Sequence, residues 1–410
     1  MPRQHSHGQK HLHSAAAGRR ADFVDAAGGE PDKRAMREPP ALPGENSVRH
    51  RLQGIEACRG FAAVLVVFYH AGKMISLPQY YNYTPFGNFF SFGHAGVDFF
   101  FVLSGFIITY VHRRDLGRPV ALGQFCYRRF VRIFPLYWIV TAIVFVLALF
   151  SPDRAARLAP GHLIASLLLL PHSQDPLLGV GWTLEHEMLF YLAFAVAIVS
   201  KRLGLALAAA GAGLAVAGSL VRFGFPLDFL TTPYHLQFMM GVAAAMAVGS
   251  GRVAAPGVLA AAGTLGFFAT GLTENAGLLT WAGPASILLF GACSMLVITG
   301  IATLEQRGQL TVGAAGRLLG GASYAIYLFH TIAIGLLVHA GAELGLLRWI
   351  PGWLMLLTGA VVAIGASVVL HIVVERPLMA RLRRGGALPR TPAGLRPAPT
   401  KGQGPLEPNT

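Results

Sequence analysis

Arg59 and His70 stand eleven residues apart in one apolar run of this sequence. On an α-helix, eleven residues turn through about 1100°, within about 20° of three full turns, and rise about 16 Å. The two side chains therefore share a face, with the guanidinium near one mouth of the segment and the imidazole deeper. A fixed cation that meets an anion, followed by an imidazole that takes or passes a proton, suits an anionic donor and a proton-transfer step. The bland alternative is an arginine that snorkels to the interface and a histidine held by packing. A second run holds Gly96-Val97-Asp98-Phe99-Phe100-Phe101-Val102-Leu103-Ser104-Gly105-Phe106, with His94 four residues before Asp98 and on the same helical face. Asp98 is expected as a polar contact between helices. Ser104-Gly105 reads as a packing site, because no Gly-x-Ser-x-Gly elbow surrounds the serine.

Arg129 and Arg132, in Tyr127-Arg128-Arg129-Phe130-Val131-Arg132-Ile133-Phe134-Pro135, are at i and i+3. On a helix they present two guanidinium forks side by side, a geometry that matches phosphate and never loses charge. The run opening Gly181-Trp182-Thr183-Leu184-Glu185-His186-Glu187 carries two acids and a histidine. Glu185 and Glu187 are about 200° apart and cannot share a face, whereas Glu187 and Tyr191, at i and i+4, do. Thr183 is an alternative N-cap for that helix, with the acids favoured by its dipole. Tyr324, Tyr327 and His330 form a polar stripe at i, i+3 and i+6, either packing between helices or walling a cavity. His371-Ile372-Val373-Val374-Glu375-Arg376-Pro377 reads as a polar exit at which proline stops the helix.

These groups have to be positioned by membrane helices. The 410 residues are 54% hydrophobic and only 13% charged, far below the quarter or so that coats a soluble domain. Apolar stretches of roughly 20 residues recur, the length that crosses about 30 Å of hydrocarbon. Inside lipid each must be helical to satisfy its own backbone. The fold class is therefore all-α, a polytopic membrane protein of ten spans, near 54–76, 89–111, 133–151, 182–200, 203–221, 235–249, 253–272, 283–303, 318–341 and 353–375. Basic residues concentrate in alternate loops. Residues 112–132 alone hold six arginines and one acid, and an even number of spans places every basic segment on one side. Both termini are then cytoplasmic.

The net charge of +14 reports this topology, so no nucleic-acid partner is expected. Residues 1–50 lack an apolar h-region and read as a disordered basic, His-rich tail, in which His5, His7, His11 and His13 need no metal. Residues 51–380 form the membrane domain, and 381–410 a second disordered tail, basic and rich in Pro and Gly. Cys58, Cys126 and Cys293 have neither metal-ligand nor disulfide spacing, and no metal site is expected.

In their order along the chain, these segments resemble the acyltransferase-3 family of integral membrane O-acyltransferases. Within it, the chain resembles the bacterial exopolysaccharide and O-antigen acetyltransferases. The resemblance covers about 55–380. It rests on Arg59 and His70 at Arg-x10-His, on Gly-Val-Asp-Phe-Phe with Ser-Gly-Phe in the second span, and on Arg129 and Arg132 with the following Pro and Tyr. Trp-Thr-Leu-x-x-Glu-x-x-Phe-Tyr in the fourth span, Ser-Tyr-x-x-Tyr-x-x-His in the ninth and the terminal Glu-Arg-Pro complete it.

The resemblance implies about ten helices in a bacterial inner (cell) membrane and transfer of an acyl group, acetyl in the first instance, from cytoplasmic acyl-CoA to a hydroxyl of a carbohydrate or lipid-linked glycan. No permanently bound cofactor is implied, acyl-CoA (acetyl-CoA) being a co-substrate. The family's functional residues map onto Arg59, His70, Arg129, Arg132 and Glu187. His70 and Glu187 are then a catalytic pair, the three arginines hold the coenzyme A phosphates, and Asp98, Tyr191, Tyr327 and His330 support them. Members with two adjacent acids in the fourth span differ from this chain, where His186 separates Glu185 from Glu187. Spacing to Phe190-Tyr191 favours Glu187 as the working acid. The rival reading is a proton-coupled transporter with His70, Asp98 and Glu187 as its relay. No internal repeat supports it.

Overall fold

The computed structural model describes residues 52–150, 158–221 and 223–385, so the tail 1–50 with its histidines and residues 386–410 lie outside the described residues, while 381–385 of the expected second tail belong to a helix. Those residues contain helices and no strand. In order they are α1 (Gln53–Ile75), α2 (Gly96–His112, led by a 3-10 turn at Ser91–Ala95), α3 (Leu122–Leu149), α4 (Pro160–Leu168), α5 (Trp182–Val199), α6 (Lys201–Leu220), α7 (Leu227–Leu230), α8 (Tyr234–Ser250), α9 (Pro256–Asn275), α10 (Pro284–Gln306), α11 (Ala314–Glu343), α12 (Gly352–Leu370) and, after a π-turn at His371–Glu375, α13 (Arg376–Gly385).

Among the described residues, nine helical segments are long and apolar enough to cross a membrane. The remaining expected span is α8, whose 17 residues reach only about 25 Å. The packing shows that it crosses nonetheless. The largest helix pair is α1 with α11. Gly60 sits against Gly320, and ten residues further along both helices His70 meets His330. The pair therefore runs in the same direction. Seven longer helices lie between them if α8 is counted and six if it is not, and only an odd number of crossings returns the chain to the starting side. α8 also lies along α2 with both running the same way, from Phe101 beside Tyr234 to Arg113 beside Gly249. The protein is thus an all-α, multi-pass membrane protein, and its Gln53 and Arg376 ends share one face.

Close crossing explains the glycines in these pairs. A Cβ on Gly60 would stand 2.8 Å from the Leu319 and Gly320 backbone, so only glycine lets α1 and α11 approach this closely. The buried core is formed by α2, α3, α5 and α11 around Phe101, Tyr137 and Phe238, with separate clusters where α1 meets α10 and α12.

Three local expectations are revised. The basic segment ending at Arg132 is not a loop, because α3 begins at Leu122 and continues through Pro135. Pro377 does not stop the helix. It is the second residue of α13, in the first turn, where no backbone N–H is needed. Thr183 is not an N-cap: Gly181 holds that position without a side-chain bond, and the Thr183 hydroxyl meets the Val180 carbonyl and, at 2.8 Å, the Tyr327 hydroxyl.

Candidate active site

The α1–α11 pair brings two imidazoles together in the middle of the bundle. His330 is fully buried, and its Nδ1 lies 2.9 Å from the Ile326 carbonyl oxygen. An N–H must point there, since two lone pairs would repel, so the Nε2 of a neutral His330 is an acceptor. That Nε2 is 3.1 Å from His70 Nδ1, which also faces the Val66 carbonyl oxygen at 3.0 Å. Between two acceptors, His70 Nδ1 must carry the proton. Its Nε2 is then a lone pair, the nitrogen from which an imidazole acts as a base. The ring keeps some accessible surface and packs edge-on against Tyr69 at 4.8 Å.

Glu187 does not touch this imidazole. Its Oε1 accepts from Ser104 Oγ at 2.7 Å and from the Tyr191 hydroxyl. His70 and Glu187 thus stand in two separate constellations, His70 with His330 and Glu187 with Ser104 and Tyr191. Glu185 points elsewhere, as the helical angle requires. It is buried, feels Asp175, and its Oε1 has no hydrogen-bond partner among the described residues.

Glu187 belongs with the arginines. Arg59 interacts electrostatically with Arg132, Glu187, Glu56 and Glu375, yet among the described residues it forms no ion pair. Arg129 lies over the Phe125 and Tyr191 rings at 5.9 and 5.7 Å, and its buried Nε has no partner. Arg132 is tied down. Its Nη1 donates to Glu375 Oε1 at 2.9 Å, while Glu375 Oε2 accepts from His371 Nδ1 at 2.7 Å. Its guanidinium lies 5.0 Å over Tyr324, whose hydroxyl donates to the Ile133 carbonyl. α3 supplies Arg129 and Arg132 one turn apart, α1 supplies Arg59, and the π-turn supplies Glu375. The result is a cluster of three arginines at the end of the bundle from which α1 starts, and among the described residues two of the three guanidinium groups form no ion pair with a carboxylate. Such a set binds phosphate-bearing anions.

Asp98 stands apart. It is buried, accepts from Gln237 Nε2 at 2.6 Å and lies 4.0 Å from His94 Nδ1, while His94 Nε2 is 2.8 Å from Glu274 Oε2. No hydrogen bond links Asp98 to His70 or Glu187, so the three groups of a relay are not joined. Tyr327 binds Thr183 and the Val180 carbonyl and reaches neither imidazole by hydrogen bond.

Sequence reasoning missed His94, Gln237 and Glu274 as one network. The expected span 253–272 leaves Glu274 just outside it, but Glu274 lies inside α9 and is buried. His371 and Glu375 did carry a signal, being i and i+4 beside an Arg-Pro, but their partner Arg132 is 243 residues away. Among the described residues no group of three or more His, Cys, Asp or Glu side chains could hold a metal.

Comparison with known proteins adds an independent finding. The family described as acyltransferase domain matches residues 52–372. Over 320 residues the chain is 36% identical to the exopolysaccharide production protein ExoZ of Rhizobium meliloti (strain 1021), covering 75% of this chain and 95% of that protein. It is 28% identical over 397 residues to the acyltransferase MdmB of Streptomyces mycarofaciens, covering 87% and 97% of the two chains. A shorter match, 25% over 160 residues, is to the peptidoglycan O-acetyltransferase OatA of Listeria monocytogenes serovar 1/2a (strain ATCC BAA-679 / EGD-e), covering 38% of this chain and 22% of that one. No solved structure matches the chain.

Proposed function

The chain belongs to the acyltransferase-3 family, and from that premise we propose that this membrane-embedded acyltransferase moves an acyl group, acetyl in the first instance, from cytoplasmic acyl-CoA to a hydroxyl of a cell-surface glycan. The observation that carries this reading is the pairing of a partly unpartnered arginine cluster with the His70 imidazole, which lies about 16 Å further along the helix that bears Arg59. Coenzyme A is a polyphosphate with a long, thin thioester arm. Its phosphates fit Arg59, Arg129 and Arg132, and the arm spans the gap to His70.

In the chemical step, His70 Nε2 takes the proton of the acceptor hydroxyl as its oxygen attacks the thioester carbonyl. The C–S bond breaks as the ester C–O bond forms, and the departing thiolate takes the proton from the imidazolium. The Val66 carbonyl and His330 together hold the tautomer that makes this possible. Glu187 orients Tyr191 and the arginines. The positive-inside rule supports a cytoplasmic basic face, and with it a bacterial inner membrane and cytoplasmic termini as part of this reading. ExoZ is named for exopolysaccharide production and OatA for peptidoglycan O-acetylation, and both support a carbohydrate acceptor.

The test uses membranes carrying the full chain and acetyl-labelled acetyl-CoA. Wild type should pass label to glycan, and His70→Ala should lower the rate by about 10²–10⁴-fold at normal protein levels. Activity surviving in His70→Ala overturns the role of the imidazole. Uptake of substrate into vesicles without covalent modification would instead favour a transporter.

A further inference from the structure

A cavity opens at the other end of α1, away from the arginines. It has a volume of about 430 Å³ and is lined by Tyr69, Ser76, Lys73, Asn88, Glu274 and Trp281 among others. That volume lies within the range of small-molecule sites.

Its most prominent side chain is Trp281, which is 53% exposed and is held in place from three sides. The Tyr69 ring lies stacked with it at 6.4 Å and 27°, and His94 meets it edge-on at 5.0 Å. The next residue, Ala282, has a left-handed backbone with φ 48°, a conformation that is unfavourable for a residue with a Cβ and persists only where its surroundings impose it. The constraint here is Glu274. Its Oε1 accepts from the Ala282 N–H at 2.7 Å, and its Oε2 meets His94 Nε2 at 2.8 Å. The buried carboxylate thus fixes both the turn that projects Trp281 and the histidine that abuts it. The segment leading to Asn88 is also secured, because the Tyr81 hydroxyl donates to the Ile350 carbonyl and the Tyr83 hydroxyl accepts from the Gly352 N–H.

The lining chemistry selects the occupant. A polyphosphate needs several cations, and this cavity has one, Lys73. An acyl chain needs a dry wall, whereas this one carries amides, a hydroxyl and an ammonium. An exposed indole face with Asn88 and Lys73 beside it suits a pyranose, whose C–H face stacks on an aromatic ring while its hydroxyls meet polar donors and acceptors. His70 lies directly behind the cavity, its ring 4.8 Å from that of Tyr69.

We propose that this cavity is the acceptor subsite, where one pyranose unit of a glycan chain stacks on Trp281 and offers its hydroxyl towards His70 past the Tyr69 ring. The inference rests on the reading of His70 as the base. Glu274 is a positioning residue that does not touch the sugar.

The experiment measures saturation transfer to sugar protons from the purified full chain in nanodiscs, using cellotetraose, maltotetraose, galactotetraose and trigalacturonate as probes. At least one should bind wild type and His70→Ala with similar affinity. Trp281→Ala should weaken it about tenfold or more, and Trp281→Phe should retain most of it. Unfolding temperatures of the variants confirm their folding. Absence of binding to wild type by all four probes overturns the subsite, as does unchanged binding by Trp281→Ala, the result expected if Trp281 merely anchors at the membrane interface. Acetyl transfer measured on the same His70→Ala sample separates the two ideas. Transfer that survives there defeats the role of the base even if the cavity binds sugar. Loss of transfer with Trp281-independent binding defeats the subsite alone.

Discussion

His330 and His70 illustrate how hydrogen bonds to one ring nitrogen favour a reactive atom on the other. His330 Nε2 and the Val66 carbonyl both face His70 Nδ1, so removing His330 takes away one of two acceptors and weakens the preference for the tautomer with a basic Nε2. A neutral hydrogen bond contributes about 1 kcal/mol, so His330→Ala should lower kcat roughly fivefold or more while leaving KM for acetyl-CoA nearly unchanged. His330→Gln, which can still present an acceptor, should recover part of the loss. A steady-state comparison of the two variants checks this. The arginines should behave in the opposite way. Charge-assisted bonds are worth about 1.5–3 kcal/mol, so Arg59→Ala should raise KM for acetyl-CoA about 10- to 100-fold. Arg132→Lys should also weaken donor binding, because a lysine cannot bridge Glu375 and an incoming phosphate with a planar fork. At this scale the sequence was informative where partners lie on one helix. Arg59 with His70 and Glu187 with Tyr191 followed from 3.6-residue periodicity. His70 with His330 and Arg132 with Glu375 did not, since each pair is separated by more than 240 residues.

The α1–α11 crossing is what brings the two imidazoles together. Gly60 and Gly320 lie at its contact point, and a larger side chain would push the helices apart along their length. Overpacking of this kind costs typically 1–3 kcal/mol, so Gly60→Val should lower the unfolding temperature in detergent and reduce transfer as well. Gly213→Ala, where a Cβ meets nothing within 4 Å, should be neutral in both measurements and serves as its control. The length of α8 belongs to this scale too. Its composition marks it as the least convincing span, and the helices packed on either side settle that it crosses. Helix edges were less legible than helices. Thr-Glu-Asn at the end of α9 and Arg376-Pro377 both look like exits in sequence, yet Glu274 is buried by partners from α2 and the turn after α9, and Pro377 sits where helix geometry tolerates it.

The molecule has two unlike ends, one bearing the arginine cluster and the basic α13, the other the Trp281 cavity. Tyr127 of α3 ties α13 to the first of these by donating to the Leu382 carbonyl. If the basic end is cytoplasmic, an Asn88→Cys variant in a Cys126→Ser background should react in intact cells with a membrane-impermeant maleimide. The native exposed thiol of Cys126 should react only after the membrane is opened. The reverse pattern would invert the topology.

By itself the sequence determined the class of the molecule and its axis. Apolar run length, the requirement that backbone be satisfied inside lipid, and the alternation of basic loops are local or additive properties, and so is the shared face of Arg59 and His70. The tertiary structure decided which of the intramembrane polar groups work together. It set Glu187 with the arginines, gave His70 a second histidine as its neighbour, and enclosed Asp98 in a network with His94, Gln237 and Glu274. Those assignments depend on how helices far apart in the chain cross and rotate against one another. That is set by close packing at a few glycines, and periodicity along a single helix carries no record of it.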